Sequence, residues 1–538
     1  MPVDRMPRSD LTGRWSRRLA RSPLGRRGAG VLEDLRHRTV PVHWSNLFGV
    51  IALACVVVIM VTGVILTFHY VPSSSTVVYD GRVATLHGQE VSKAFASTLH
   101  LSFEVPGGLL IRQAHHWAAL LLPAALIAQL LVTFFTGAFR RPRRAAWVLL
   151  FLIFVTALAG GWSGYALPDD MLSGTGLRIF EGILLGIPVV GTWLKDLFFG
   201  GLFPGRIIEN LYPIHVAVVP VMLVALIAVR SAILYRQKPP QFTGPGRTAA
   251  NVVGIPLVPN AAARAGGLLL IVTGILLLIS VTVTINPIWL YGPASPGNAG
   301  AGSQPDWYTG FLDGALRLVP PGWEIVAFEQ TWTLALLAPL AVVTLFLGLV
   351  AAYPFLEAWI TGDQREHHLL DRPRNVPTRT GIGVAGIVFF GTLWAAGSAD
   401  LIAVAFSLTI EGVVLAMQLL LVVGPIIAFT IARRVCVALQ RKDRELLLHG
   451  FETGRIVRLP GGEYVEVHQQ LDEYDRWRLI DVEAVTPLRL RPSGGRIRWM
   501  QRLRVRLSRF FLEDRLEAEQ PLLPARPDLS SVSSAPHD

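Results

Sequence analysis

Eight stretches of the chain are long and apolar enough to cross a lipid bilayer, roughly 46–70, 109–137, 145–166, 213–236, 265–289, 332–353, 381–405 and 410–433. A span needs about 20 mostly apolar residues, and in lipid every backbone N–H and C=O must find its partner within the protein. Helices meet both demands, so the expected fold class is all-α integral membrane with eight transmembrane helices. Composition agrees: 52% of the 538 residues are hydrophobic and 16% charged, where an ordinary soluble domain carries about a quarter charged residues. A disordered chain, a disulfide-rich secreted module and an ordinary cytosolic enzyme are thereby excluded. Two cysteines, Cys55 and Cys436, with no CxxC or CxxCH, exclude a disulfide framework, a thiolate zinc site and a covalently attached c-type haem.

The connections between spans alternate in charge. Residues 1–42 hold ten arginines against four acids, Arg140, Arg141, Arg143 and Arg144 crowd the turn after the second span, and the 230–247 and 361–380 connections are basic. Those at 71–108, 167–212 and 290–331 are long, rich in glycine and proline, and nearly charge-balanced. The positive-inside rule then places both termini of this multi-pass cell-membrane protein in the cytoplasm. The formal net charge of +11 is mostly orientation. No basic stretch is interleaved with aromatic platforms, so no nucleic-acid partner is expected. The basic segment 1–42 reads in two ways, as an interfacial helix on anionic membrane lipid or as a disordered tail. No cleavable signal peptide is expected. Residues 43–236 would form a four-helix bundle and 237–433 a second membrane domain of four helices. Residues 434–538 would form a polar cytoplasmic extension, with RIVRLPGGEYVEVHQ as a hairpin turning on Pro-Gly-Gly and the last twenty or so residues disordered.

Ionisable residues inside spans are costly and need a reason. Arg112, His115 and His116 lie just below the outer end of the second span, and His215 lies at nearly the same depth in the fourth. Two neutral imidazoles from facing helices are what a bis-histidine b-type haem requires, with an arginine nearby to neutralise a propionate. The alternative is a pair of histidines bonded to backbone or to each other. Matched depth, with Arg112 one turn away, favours the haem. Gly63 and Gly164 sit at similar depth in the first and third spans, where a missing side chain lets a flat macrocycle approach the backbone or lets helices pack closely. In the connection after the fifth span, GSQPDWYTG (302–310) sets Asp306 beside Trp307 and Tyr308. This carboxylate either accepts a proton from a phenolic ligand such as a quinol or caps a helix whose aromatics form an interfacial belt.

Together these residues resemble the cytochrome b subunit of the cytochrome bc1 and b6f complexes. The resemblance covers roughly residues 40–440 and rests on HWSNLFG (43–49), IRQAHHW (111–117), GYALPDDMLSGTGLR (164–178), LYPIHVAVVP (211–220) and PDWY (305–308). It is most similar to the actinobacterial branch, the menaquinol–cytochrome c reductases, through that aspartate, the INPIW…AGSQPD connection, AYPFLE (352–357) and HGFETG (449–454). The resemblance implies quinol oxidation on the positive side, two haems b stacked across the first four helices, and a dimeric complex with a Rieske iron–sulfur subunit and a cytochrome c subunit. It also implies a terminal cytochrome oxidase in a supercomplex. It makes His115 and His215 the axial iron ligands of the outer, low-potential haem, Arg112 its propionate arginine, and Gly63 and Gly164 its close-approach glycines. Asp306, Tyr308 and Tyr165 become quinol-pocket residues.

The inner haem does not carry over. In the family its ligands follow the first pair by fourteen and by fourteen to fifteen residues, about four turns or roughly 21 Å, which returns them to the same face in the other leaflet. Here those positions hold Gln129 and Arg230. A guanidinium stays protonated and has no lone pair to donate. Val132 replaces the haem's arginine and Leu150 its glycine on the third helix, while Gly49 is retained. One haem b, at the outer site, is therefore expected. Three functional readings follow: a working cytochrome b subunit with a rebuilt inner site, a paralogue that oxidises quinol without a full Q cycle, or a one-haem quinone-binding subunit with a structural, sensing or assembly role. A transporter would want paired repeats with broken helices around a midplane site, and nothing in the chain suggests them.

Overall fold

The computed structural model describes residues 30, 33–295, 297, 304–479, 485–490 and 499–513. Among them are eight helices long and apolar enough to span a membrane: α1 (Trp44–Thr67), α2 (Gly108–Phe135), α3 (Arg144–Ala166), α4 (Ile207–Arg236), α5 (Leu257–Thr282), α6 (Leu334–Thr361), α7 (Pro377–Ala396) and α8 (Ile410–His449). The arginine-rich start and the C-terminal stretch expected to be disordered lie outside the described residues.

Several boundaries differ from the apolarity pattern: α4 begins at Ile207 and not 213, α5 runs Leu257–Thr282 and not 265–289, and α6 reaches Thr361 and not 353. The seventh apolar run breaks at Gly397 and Ser398, and a separate short helix follows at Ala399–Ala405. α8 does not stop near 433 but continues to His449, where Gly450 at φ +88° ends it. Arginine, leucine, glutamine and glutamate are all good helix formers, so the helix persists after its apolarity stops. Beyond it, Phe451–Arg458 and Tyr464–Gln469 pair as the expected antiparallel hairpin, with Gly462 at φ +91° in the turn.

α1 packs on α2, α2 on α3 and α3 on α4, with α5 against α1 and α2. Small residues let these helices approach: Ala54, Cys55, Ala114 and Ala118 are fully buried in a core that also holds Leu122, Trp147 and Leu150. α7 lies along α8. At the other end of α2 a buried charge network joins the α2–α3 connection to α6 and α7. Arg379 of α7 is inaccessible to solvent. It donates to Glu357 of α6 at 2.8 Å and to Asp371 at 2.6 Å, and Arg140 meets Asp371 at 2.8 Å. A buried cation of this kind persists only when paired.

Candidate functional site

His115 stands about two turns into α2. His215 lies in an irregular part of α4, where Ile214–Val218 forms a π-helical turn between Pro213 and Pro220. Proline lacks an N–H and crowds the carbonyl one turn back, and a wider turn relieves both; such turns recur at functional sites. The two imidazole centroids lie 6.1 Å apart with their planes inclined at 66°. An iron between two imidazole nitrogens, each bond about 2 Å long, separates the ring centres by about 6 Å.

Each ring is held by a hydroxyl on the neighbouring helix. Thr62 Oγ1 lies 3.0 Å from His115 Nδ1 and donates its proton to the Val58 carbonyl at 2.6 Å. Ser163 Oγ lies 3.1 Å from His215 Nδ1 and donates to the Gly160 carbonyl at 3.2 Å. With the hydroxyl proton donated to the carbonyl, each oxygen accepts from Nδ1–H and the lone pair falls on Nε2. That is the tautomer a metal-binding histidine needs, fixed by the partner such ligands usually have.

The glycines make room for these rings. A Cβ on Gly63 would sit 3.2 Å from His115 Cε1, and one on Gly164 only 2.5 Å from His215 Cε1. Arg112 is buried, donates Nη2 to the Asn286 carbonyl at 2.9 Å, and holds its guanidinium 5.9 Å over the Trp289 ring. Its Nε is buried with no partner among the described residues, as is Asn286 Oδ1. An orphaned cationic donor beside two correctly protonated imidazoles fits a haem with an anionic edge.

Asp306 occupies the N-cap position of a short 3₁₀ turn, Trp307–Thr309, yet its side chain caps nothing. Its carboxylate instead accepts from Tyr308 OH at 2.8 Å and lies 3.0 and 3.1 Å from His116 Nε2. Trp307 anchors the loop to α2 by donating to the Leu120 carbonyl at 3.2 Å. Tyr308 is buried, and its hydroxyl occupies the space where Gly161 lacks a side chain: a Cβ there would meet it at 2.5 Å. Tyr165, also buried, follows Gly161 by one turn and so joins the same face of α3. Burial, the Asp306 carboxylate and Tyr165 together hold the Tyr308 phenol well above its ordinary pKa. Burial likewise raises the carboxyls of Asp169 and Asp170 at the end of α3.

The structure thus gathers His115, His215, Gly63, Gly164 and Arg112 in one group and Asp306, Tyr308 and Tyr165 in another, with His116 joining them. His116 was visible as an ionisable residue in a span, but its partner lies 190 residues away. Thr62 and Ser163 carried a signal of their own, because each immediately precedes one of the close-approach glycines.

The inner level is different. Residue 230 follows His215 by fifteen positions rather than fourteen, and the π-turn takes up the extra residue. Gln129 Oε1 lies 3.6 Å from where a Gly49 Cβ would stand, and its amide donates to Thr133 Oγ1 at 3.4 Å. Arg230 Nε donates to the Ala146 carbonyl of α3 at 3.2 Å. Leu150 is buried in the bundle core. Gly49, Gln129, Val132 and Arg230 line a cavity of about 560 Å³ whose one imidazole among the described residues is His43. That ring is engaged with Ser45 and lies 3.9 Å from Phe242, centroid to centroid. These residues offer no ligand pair for a second haem.

Residues 120–293 match the family described as cytochrome b(N-terminal)/b6/petB. The chain is 42% identical over 515 residues to the cytochrome bc1 complex cytochrome b subunit of Streptomyces coelicolor, covering 94% of each chain. It is 45% identical over 444 residues to the corresponding subunit of Mycobacterium tuberculosis, covering 82% of this chain and 80% of that one. Among solved structures it is similar to a chain of a hyperthermophilic respiratory Complex III, with a TM-score of 0.54 at 16% identity, covering 80% of this chain and 97% of that one. That likeness is one of fold.

Proposed function

The chain belongs to the cytochrome b family, and from that premise we propose how much of the family's machinery it keeps. It is a multi-pass membrane protein and a cytochrome b-like subunit of a bc1-type quinol–cytochrome c reductase, working with the other subunits of that complex. We infer that it holds a single haem b, between His115 and His215, and oxidises menaquinol at the outer side without a full Q cycle, one electron passing to the Rieske iron–sulfur subunit and the other through the haem to another subunit. The observation that carries this reading is the pair of imidazoles 6.1 Å apart, each with Nδ1 held by a hydroxyl, set against glutamine and arginine at the inner level. Its partners on this reading are a Rieske iron–sulfur subunit and a cytochrome c subunit in a dimeric complex, with a terminal oxidase beyond. Both termini face the cytoplasm, as the arginine distribution supports.

Haem b, when bound, supplies a one-electron acceptor next to the quinol pocket. The chain's own residues manage the proton. A quinol hydroxyl entering beside Tyr308 and Tyr165 meets the Asp306 carboxylate, which takes the proton at Oδ1 or Oδ2. His116 and Tyr308 hold that carboxylate in place, and His116 shares the proton once it arrives. Tyr308 stays protonated and donates throughout. Arg112 would hold the anionic edge of the haem, and Gly63 and Gly164 give the imidazoles their space.

The test is haem b per polypeptide in the purified complex, with a redox titration and menaquinol-dependent haem reduction. One haem, one redox transition and quinol-dependent reduction are expected, with reduction slowed about 10²–10⁴-fold in Asp306→Asn. Two haems would overturn the single-site reading. One haem with no quinol-dependent reduction would leave a structural or sensing subunit.

A further inference from the structure

The inner cavity is neither filled by a side chain nor matched to a metal-bearing group, and its walls have a definite character. Four arginines line it (Arg143, Arg230, Arg247 and Arg264), and among the described residues no aspartate or glutamate does. Arg143 donates to the carbonyls of Ala138 at 2.8 Å and Lys238 at 3.4 Å and is fixed by the backbone. Arg230 is different. It lies within the apolar span of α4, and the Ala146 carbonyl takes its Nε. A guanidinium carries five N–H donors, and a neutral carbonyl leaves its charge uncompensated. A cation within a span persists by pairing or by serving a ligand. Several cations around a low-dielectric recess, with no acid among the described lining residues to offset them, focus a positive potential there. His43 on the same wall feels it: burial first and Arg247 second hold its imidazole below the ordinary value. The other lining residues are mixed: Ser45, Asn46, Gln129 and Thr133 are polar, while Val50, Val132, Trp147 and Leu268 form an apolar stretch. A cavity of about 560 Å³ falls within the roughly 300–1,000 Å³ of small-molecule sites.

We propose that this cavity binds an anionic amphiphile, a phosphate diester or carboxylate on an acyl chain, with the anion on Arg230 and the chain along the apolar wall. The assignment rests on the reading that no haem occupies the inner level. The anion takes the Nη donors of Arg230 in charge-assisted hydrogen bonds, with Arg247 and Arg264 strengthening the field around it. The acyl chain fills the space between Gln129 and Arg230, the two positions where ligands are absent.

The test uses the full-length protein in its complex, exchanged into vesicles of phosphatidylcholine alone, phosphatidylcholine with phosphatidylglycerol, or phosphatidylcholine with oleate. Retained lipid per chain is read by native mass spectrometry and haem by its pyridine spectrum. One retained phosphatidylglycerol, or one retained oleate, supports the site and tells a lipid headgroup from a free acid. Arg230→Gln should lower that retention about tenfold, the loss expected for one charge-assisted hydrogen bond, and Arg230→Lys should recover part of it. If Arg230→Gln fails to fold, Leu268→Trp, which fills the chain's space and keeps the charge, should displace the same lipid. Phosphatidylcholine retained as well as the anionic probes, or retention indifferent to both variants, would overturn the proposal. One haem with no retained anion sinks this inference alone. Two haems with no retained anion sink it together with the single-haem reading.

Discussion

The outer and inner halves of the first four helices are built on one scaffold and differ in chemistry. At the outer level α1 supplies Thr62 and Gly63, α2 supplies Arg112 and His115, α3 supplies Ser163 and Gly164, and α4 supplies His215. Fourteen residues along, or fifteen in α4, the same helices present Gly49 after Phe48, then Gln129, Leu150 after Leu149, and Arg230, with Val132 just beyond Gln129. Only Gly49 survives in kind. The helices keep their register because alanine, leucine and tryptophan packing holds them, and that packing owes nothing to the ligands. The frame therefore does not depend on the ligands, and the inner level keeps it around a cavity with Arg230 in its wall.

The sharpest way to break this contrast is to remove an outer ligand. His215→Leu is expected to abolish haem binding altogether, taking the haem-to-polypeptide ratio from one to zero, because no second ligand pair remains in the bundle. Gln129→Leu should leave that ratio unchanged. Haem surviving in His215→Leu would mean that the inner level binds it after all.

The next test rebuilds the inner level. Gln129→His with Arg230→His is expected to leave the ratio at one, because Leu150 still occupies macrocycle space. Adding Leu150→Gly should bring it to two, with a second redox transition. A second haem appearing with the two histidines alone would show that the steric argument from Leu150 is wrong and that ligand loss is the whole difference between the halves.

How much of this was legible in the chain follows from how strict each demand is. Lipid requires about 20 apolar residues in a row, and all eight spans are found where that pattern puts them. Ligation of iron requires histidines at matched depth, so His115 and His215 stand out, whereas the missing histidines at 129 and 230 stand out only against the family resemblance. The end of α8 was hidden because apolarity reports the membrane and not the helix. The Asp306–His116 contact was hidden because a loop and a helix 190 residues apart meet only in the folded molecule. Asp306 itself read equally well as a cap, and only its unused N-cap geometry separates the two roles.

The quinol side of the outer half gives a smaller, graded effect. Asp306→Asn removes the proton acceptor and is expected to slow menaquinol-dependent haem reduction about 10²–10⁴-fold, the usual contribution of a positioned base, with haem content unchanged. His116→Gln keeps a hydrogen bond to Asp306 but cannot take up the proton, so a loss of about tenfold is expected, with a changed pH profile. Stopped-flow reduction across a pH series separates the two. Equal losses in both variants would make His116 and Asp306 one unit, and no loss in either would move the proton acceptor elsewhere.

The smallest effect belongs to the hydroxyls, and it sharpens the comparison most finely. Thr62→Val and Ser163→Ala each remove the acceptor for one Nδ1–H while leaving ligand, glycine and arginine in place. Partners of this kind are worth about 10–100-fold in metal affinity, so both variants should retain haem at high protein concentration and lose it faster on dilution. The imidazole freed of its acceptor is a poorer electron donor to iron, so the midpoint potential should rise in each. Haem release rates and redox titrations of the single and double variants check this. Losses as complete as in His215→Leu would show that the hydroxyls set the position of the rings, and that the Thr-Gly and Ser-Gly pairs missing at 48–49 and 149–150 matter to the inner half as much as its missing histidines do.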